Sequence, residues 1–243
     1  MTTLVVGATG ATGKHLVKHL LDQNQTVKAV VRNRQSVPPE LAPHPNLTLI
    51  EASLLDLTDA ELQTLVADCT AIASCLGHNL TFKGLYGHPR RLVTDATRRL
   101  CQAIKANQPA QPVKFILMNT SGNNIPDLNE KISLAEKLAI RLIRIILPPH
   151  IDNEMAADYL RTTIGHNDPT IKWIAVRPSG LINSHKTSKY ETYPSPIRSA
   201  IFNDGCISRI NVGHFMAELI TQPDLWQKWN GKLPVIYNTD SLT

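Results

Sequence analysis

Short apolar runs rich in Val, Ile, Leu and Ala recur along the chain, and between them apolar residues return with a period of three to four. That alternation predicts strands of a parallel sheet with helices on both faces. TLVVGA (3–8), VKAVVR (27–32), LTLIEA (47–52), AIASCL (71–76), VKFILMNT (113–120) and WIAVRP (173–178) read as six strands, and LPVIYN (233–238) as a seventh. After the first, GKHLVKHLLDQ (13–23) puts Leu16, Leu20 and Leu21 on one helical face. Between the second and third, VPPELAPHP (37–45) replaces a full helix, because successive prolines forbid regular turns.

Further along, LNEKISLAEKLAIRLIRIILPPH (128–150) carries Ile132, Ala135, Leu138, Leu142, Ile145 and Ile146 at helical spacing. Packing on the core or on a partner subunit is the expected use of this face, ahead of a membrane surface. Residues 183–207 lack a long periodic run and hold two Pro-containing turns, so they read as a loop or short hairpin over the site, with Lys189 and Arg198 as solvated charge. SRINVGHFMAELI (208–220) returns to helix from a Ser cap. The expected architecture is α/β and doubly wound, one domain over 1–243 with a small C-terminal substrate-side subregion.

Composition narrows the function classes. With 243 residues, 42% hydrophobic, and no apolar run of bilayer length, the expectation is a soluble chain without an integral membrane segment. The four cysteines (Cys69, Cys75, Cys101, Cys206) have no paired spacing, and no basic stretch leads into an apolar one near residue 1. Neither a metal site nor secretion is expected, and a reducing cytoplasm fits. The net charge of +5 is scattered and aromatics are only 5%, which argues against a nucleic-acid surface. Oligomeric state is left open.

The turn after the first strand, GATGATG, holds the candidate chemistry. Gly7 permits the tight turn, Gly10 a close backbone approach to a pyrophosphate, and Gly13 close helix packing. The helix N-terminus then faces the phosphates, with Thr9, Ala11 and Thr12 beside them. Following a strand and opening a helix, the motif predicts dinucleotide binding. Arg32 stands at the end of the second strand, where an acidic residue would bind a ribose hydroxyl and Arg accommodates a 2′-phosphate. With Arg34 converging on the same phosphate, this predicts NADP(H). Asp56 and Leu57 are expected near the adenine, Ser74, Leu76 and Gly77 along the ribose and pyrophosphate, and Asn119, Thr120 and Ser121 near the nicotinamide.

VVGATGATG, VVRN, SCLGH, MNTSG and IAVRPSGLI together resemble the atypical short-chain dehydrogenase/reductases over nearly the whole chain. More narrowly they are similar to the NADP-dependent biliverdin and flavin reductases, and beyond those to the nitrogen metabolite regulator group. The resemblance implies a Rossmann-like sheet and an NADP site, with Arg177, Pro178, Ser179, Gly180 and Leu181 as a wall beside the nicotinamide. The typical enzymes pair a Tyr with a Lys four residues on, so that the lysine lowers the tyrosine pKa. No Tyr-x-x-x-Lys occurs here: Tyr86 is followed by Arg90, Tyr159 by Thr163 and Tyr190 by Pro194.

Asp152 in PPHIDNEMAADYL reads first as the N-cap of its own helix, with an acid over the nicotinamide as the functional alternative. The expected function is an NADPH-dependent atypical reductase, passing hydride to a small planar conjugated acceptor such as a flavin or quinone. Ser121 and His78 are its candidate catalytic residues, and His150 a further possible proton donor. A non-catalytic NADP(H) sensor is the alternative.

Overall fold

The structure, a computed structural model, describes residues 1–78, 81, 85–123, 125, 130 and 133–239, without the side chains of Leu134 and Ile145. Ile132, in the predicted amphipathic segment, lies outside the described residues.

The predicted apolar runs form β1 (Thr2–Val6), β2 (Thr26–Val31), β3 (Leu47–Glu51), β4 (Ala71–Ser74), β5 (Val113–Met118) and β6 (Ile171–Pro178). The first five end before the predicted runs do, and after β1, β2, β3 and β4 the residues that leave the ladder (Gly7, Arg32, Ala52, Cys75 and Leu76) line a cleft. Successive β1 side chains serve opposite faces: Leu4 and Val6 join one apolar cluster and Val5 the other. On the first face lie α2 (Asp59–Val66), α3 (Leu92–Asn107) and, of the later helices, α5 (Pro148–Asp158), which continues in π-type turns to Ile164. The second is covered by α1 (Gly13–Asp22), α6 (Arg209–Thr221) and α7 (Pro223–Trp229).

The main sheet runs β3-β2-β1-β4-β5-β6, followed by β10 (Val235–Asn238) and β8 (Tyr190–Tyr193). Every pairing in it is parallel except β10 with β8. Strand order therefore reverses between β1 and β4, which is where open α/β sheets leave a crevice at their carboxyl edge. β7 (Gly180–Ile182) and β9 (Cys206–Ser208) form a separate parallel pair. Residues 183–207, expected as a loop or hairpin, thus supply an edge strand of the main sheet.

Local signals explain several element ends. Ser208 caps α6, its hydroxyl accepting from the Asn211 amide at 3.3 Å, as predicted. Thr58 and Glu61 form a capping box on α2. Gly213 lets α6 cross α1 closely, since a Cβ there would stand 2.7 Å from the Leu16 nitrogen. α4 (Leu134–Ile146) forms over the predicted amphipathic segment, but much of its apolar face is not packed on the core. Ile140 and Glu136 face the body, whereas Leu138 and Leu142 are 64% and 57% exposed.

Candidate functional site

The carboxyl edge between β1, β2 and β4 opens into a cleft of about 590 Å³. Gly7, Thr9 and Gly10 form its wall beside α1, and Gly7 has φ +74°. A side chain at Gly7 is barred twice: its Cβ would lie 2.6 Å from the carbonyl of Cys75, across the crevice on β4's end. The Gly10 amide donates to the Gly7 carbonyl at 3.0 Å and closes the turn. At Gly13 a Cβ would meet that same carbonyl oxygen at 2.1 Å, so the third glycine serves the turn's own backbone. Thr12 is buried and its side chain does not cap α1; the amides of Lys14 and His15 donate to the carbonyls of Gly10 and Thr12.

The opposite wall comes from β2 and the turn after β3. Arg32 lines the cleft, and its guanidinium is exposed, with no hydrogen bond or ion pair among the described residues. Arg34 does not line it: its Nη2 donates to the Leu49 carbonyl at 2.9 Å and its Nε lies 3.5 Å from Glu51. The expected convergence of two guanidiniums is therefore replaced by one, because Arg34 turns along β3. Asp56 and its neighbours Ser53, Leu54 and Leu55 line the wall in a single 3₁₀ turn. Arg99 of α3 clamps that turn, donating to the carbonyls of Leu55 and Leu57 and to Asp59. No local pattern marked Arg99 for this role.

Leu76, Gly77 and His78 follow β4 along the wall, and Cys75 forms part of it with a thiol that burial pushes up to about 12, leaving it unreactive. Ser74 is buried within β4. His78 Nε2 lies 2.8 Å from Oδ2 of Asp152, a carboxylate that also accepts from the amides of Val93 and Thr94 at 2.8 and 2.9 Å. Asp152 is thus not the N-cap of its own helix; it sits inside α5 and caps α3 from across the interface. Burial opposes its ionisation, but the bonds from His78, Thr94 and Val93 prevail and hold its pKa below the usual carboxylate range.

Asn119, Thr120, Ser121, Pro178 and Ser179 stand at the carboxyl ends of β5 and β6 and outside the cleft wall. The polar side chains of Asn119, Thr120 and Ser121 are used locally, whereas the buried Ser179 hydroxyl has no hydrogen-bond partner among the described residues. Asn119 bridges the Asn153 carbonyl and the Thr120 amide, and the Ser121 hydroxyl donates to Asp204 Oδ1 at 2.8 Å. Arg177, expected as a wall residue, is fully buried and pairs with Glu130 at 2.7 Å while donating to the carbonyls of Leu233 and Asn123. It ties β6 to its neighbours instead. His150 lies 3.2 Å from Glu154 and is not in the cleft wall. No cluster of described residues has a metal-ligating arrangement.

Solved structures share this architecture. A short-chain dehydrogenase/reductase from Veillonella parvula in complex with NADP superposes with a TM-score of 0.70, at 16% identity, over 99% of this chain and 95% of that one. An oxidoreductase from Lactococcus lactis gives 0.68 at 19% identity, over 98% and 91% of the two chains. A Rossmann-fold NAD(P)-binding family protein from Shigella flexneri gives 0.66 at 18%, over 99% and 94%. In sequence, an uncharacterised chloroplastic protein of Arabidopsis thaliana is 25% identical over 220 residues, which are 90% of this chain and 72% of that protein. The family described as NAD(P)H-binding matches residues 7–223, from the first glycine of the turn to the start of α7, and the chain belongs to that family.

Proposed function

We propose that this chain is an NADPH-dependent reductase that delivers hydride to a planar conjugated acceptor, a flavin or a quinone, without a Tyr/Lys pair. The observation that supports it most is one cleft lined by the glycine turn, Arg32 and His78, the last anchored on Asp152. The residues fit a phosphorylated dinucleotide: a side chain at Gly7 would fill the cradle, and Arg32 offers an uncommitted guanidinium to a 2′-phosphate. Bound NADPH would supply the hydride. The chain's part is to hold the two partners in register and exclude other geometries, which suits an acceptor needing orientation more than a strong acid. In this reading His78, whose imidazole Asp152 holds at the wall, would hydrogen-bond the acceptor or return a proton to it.

Calorimetric titration is expected to show NADP(H) binding about tenfold or more tighter than NAD(H), the worth of one charge-assisted contact, with Arg32→Ala narrowing the gap. NADPH oxidation is then followed with flavins, quinones and small carbonyls. Equal affinities would defeat the NADP assignment. Absence of turnover with every acceptor, together with unequal affinities for NADP⁺ and NADPH, would replace the enzyme by a redox sensor.

A further inference from the structure

Five of the ten large hydrophobic side chains exposed among the described residues lie in one short stretch: Leu138, Leu142, Ile146, Leu147 and Ile151. The first three recur every four residues and so form one stripe along α4. The helix is not loosely attached. Ile140 is buried on its inner face, Arg144 is bonded through Nε and Nη2 to Glu154, and the Tyr86 hydroxyl donates to the Ile146 carbonyl at 2.8 Å. A firmly seated helix with its larger apolar side chains turned outward needs something to cover them.

Charge identifies the cover. Lys137 and Arg141 each precede a stripe leucine and run along one edge of the stripe; both are exposed and have no hydrogen bond or ion pair from their side chains among the described residues. Glu136, the acidic residue of α4, is 95% buried by the body of the protein, its exposure being 5%. The outer surface of α4 is therefore apolar and cationic, with no acidic group. We propose that α4 lies flat on an anionic lipid bilayer, with Leu138, Leu142 and Ile146 at the acyl boundary and Lys137 and Arg141 among the headgroups. The 13-residue helix is too short to cross, and no described helix is long and apolar enough to do so. A second copy of this chain fits the face less well, because two molecules of charge +5 would bring these cationic edges together with no acidic partner on α4 to receive them. This inference does not depend on the reductase reading.

The test is co-sedimentation of the full chain with phosphatidylcholine vesicles prepared with and without phosphatidylglycerol. Binding is expected only to the anionic vesicles, weakening with added salt and by about fivefold for each basic residue lost in Lys137→Gln and Arg141→Gln. The double variant Leu138→Ser/Leu142→Ser is expected to lose binding while its circular dichroism and thermal midpoint stay near those of the parent. If that variant does not fold, the two Gln variants and the salt dependence still decide. Failure of the parent to bind anionic vesicles, or equal binding to both kinds, would overturn the proposal. So would a concentration-dependent dimer in sedimentation velocity that the serine variant abolishes, which would assign the stripe to a second copy.

Discussion

The two halves of the sheet's carboxyl edge are built on different principles. Around β1, β2 and β4 the wall is shaped by backbone, with Gly7 where a side chain cannot stand and Gly10 where a Cβ would press on the Gly7 carbonyl at 3.1 Å, and Arg32 projects without a partner among the described residues. Around β5 and β6 three polar side chains are already engaged within the protein, Asn119 with Asn153, Ser121 with Asp204 and Arg177 with Glu130, while the Ser179 hydroxyl is buried without a partner among the described residues. One half offers unspent hydrogen-bonding capacity to a ligand, and the other uses its capacity to fix the frame. Substitutions in the first should therefore act through backbone strain and ligand affinity, and those in the second through side-chain bonds whose contribution depends on pH.

The largest effect is expected at Gly7. Alanine there combines a left-handed φ of +74° with a Cβ 2.6 Å from the Cys75 carbonyl, so backbone must move on two strands. A loss of about 3 kcal/mol or more follows, lowering Tm by roughly 6–12 °C for a chain of this size. Gly77, on the same cleft, has no atom within 4 Å of its Cβ position. Gly77→Ala should leave stability within about 0.5 kcal/mol and alter only cofactor affinity. Thermal unfolding and calorimetry on the two variants test this contrast, and equal destabilisation would show that the turn is not the constraint described.

Asp152 comes next, because it joins the two halves. It is 1% exposed and bonds His78 and the first turn of α3. Asp152→Ala should cost about 2–3 kcal/mol by orphaning two helix amides, and Asp152→Asn somewhat less. Because its folded pKa is depressed, the stabilisation is present above the unfolded carboxylate pKa of about 4 and is lost as pH falls below that through the folded value. Urea unfolding across that range should show the variant's stability falling less on acidification than the parent's. Parallel curves would remove Asp152 from this role.

This contrast also decides what the sequence could reveal. The glycine turn and the Ser208 cap are local, each set by residues within a few positions, and pattern reading finds both; at the end of β2 it does not foresee that Arg34 bonds back along β3 while Arg32 lines the cleft. The Asp152 carboxylate meets the Val93 amide across 59 residues of sequence, and Ser121 meets Asp204 across 83. Asp152 before an apolar run had the spacing of a cap, but its helix begins earlier, at Pro148, after a leucine that offers no capping oxygen. Arg99 clamps the cleft wall from a helix whose periodicity speaks only of its buried face. β8 is four residues long, too short for alternation to distinguish it from a loop. For α4 the amphipathic period predicted the helix, but period alone does not say which face the protein covers.

The smallest effects are expected at Ser121 and Asp204, and they sharpen the contrast most. Burial raises the Asp204 pKa, opposed by the Ser121 hydroxyl and the Gly180 amide. A raised folded pKa means that this carboxyl's contribution is present below the unfolded pKa of about 4 and is lost as pH rises through the folded value, the reverse of Asp152. Asp204→Asn keeps an oxygen to accept from Ser121 and should flatten that loss, so its stability relative to the parent rises with pH. Ser121→Ala removes one neutral donor to the half-buried carboxylate and should cost about 1 kcal/mol, slowing single-turnover NADPH oxidation by less than about tenfold, with cofactor affinity little changed. The slowing stays small if Ser121 only orients, as its engagement with Asp204 outside the cleft wall implies. Stopped flow on both variants with a quinone acceptor, beside urea titrations from acid to neutral pH, decides the matter. A loss on the order of a hundredfold in Ser121→Ala, matched in Asp204→Asn and joined by a solvent isotope effect in the parent, would make the pair a proton relay and place chemistry in the half of the edge described here as frame.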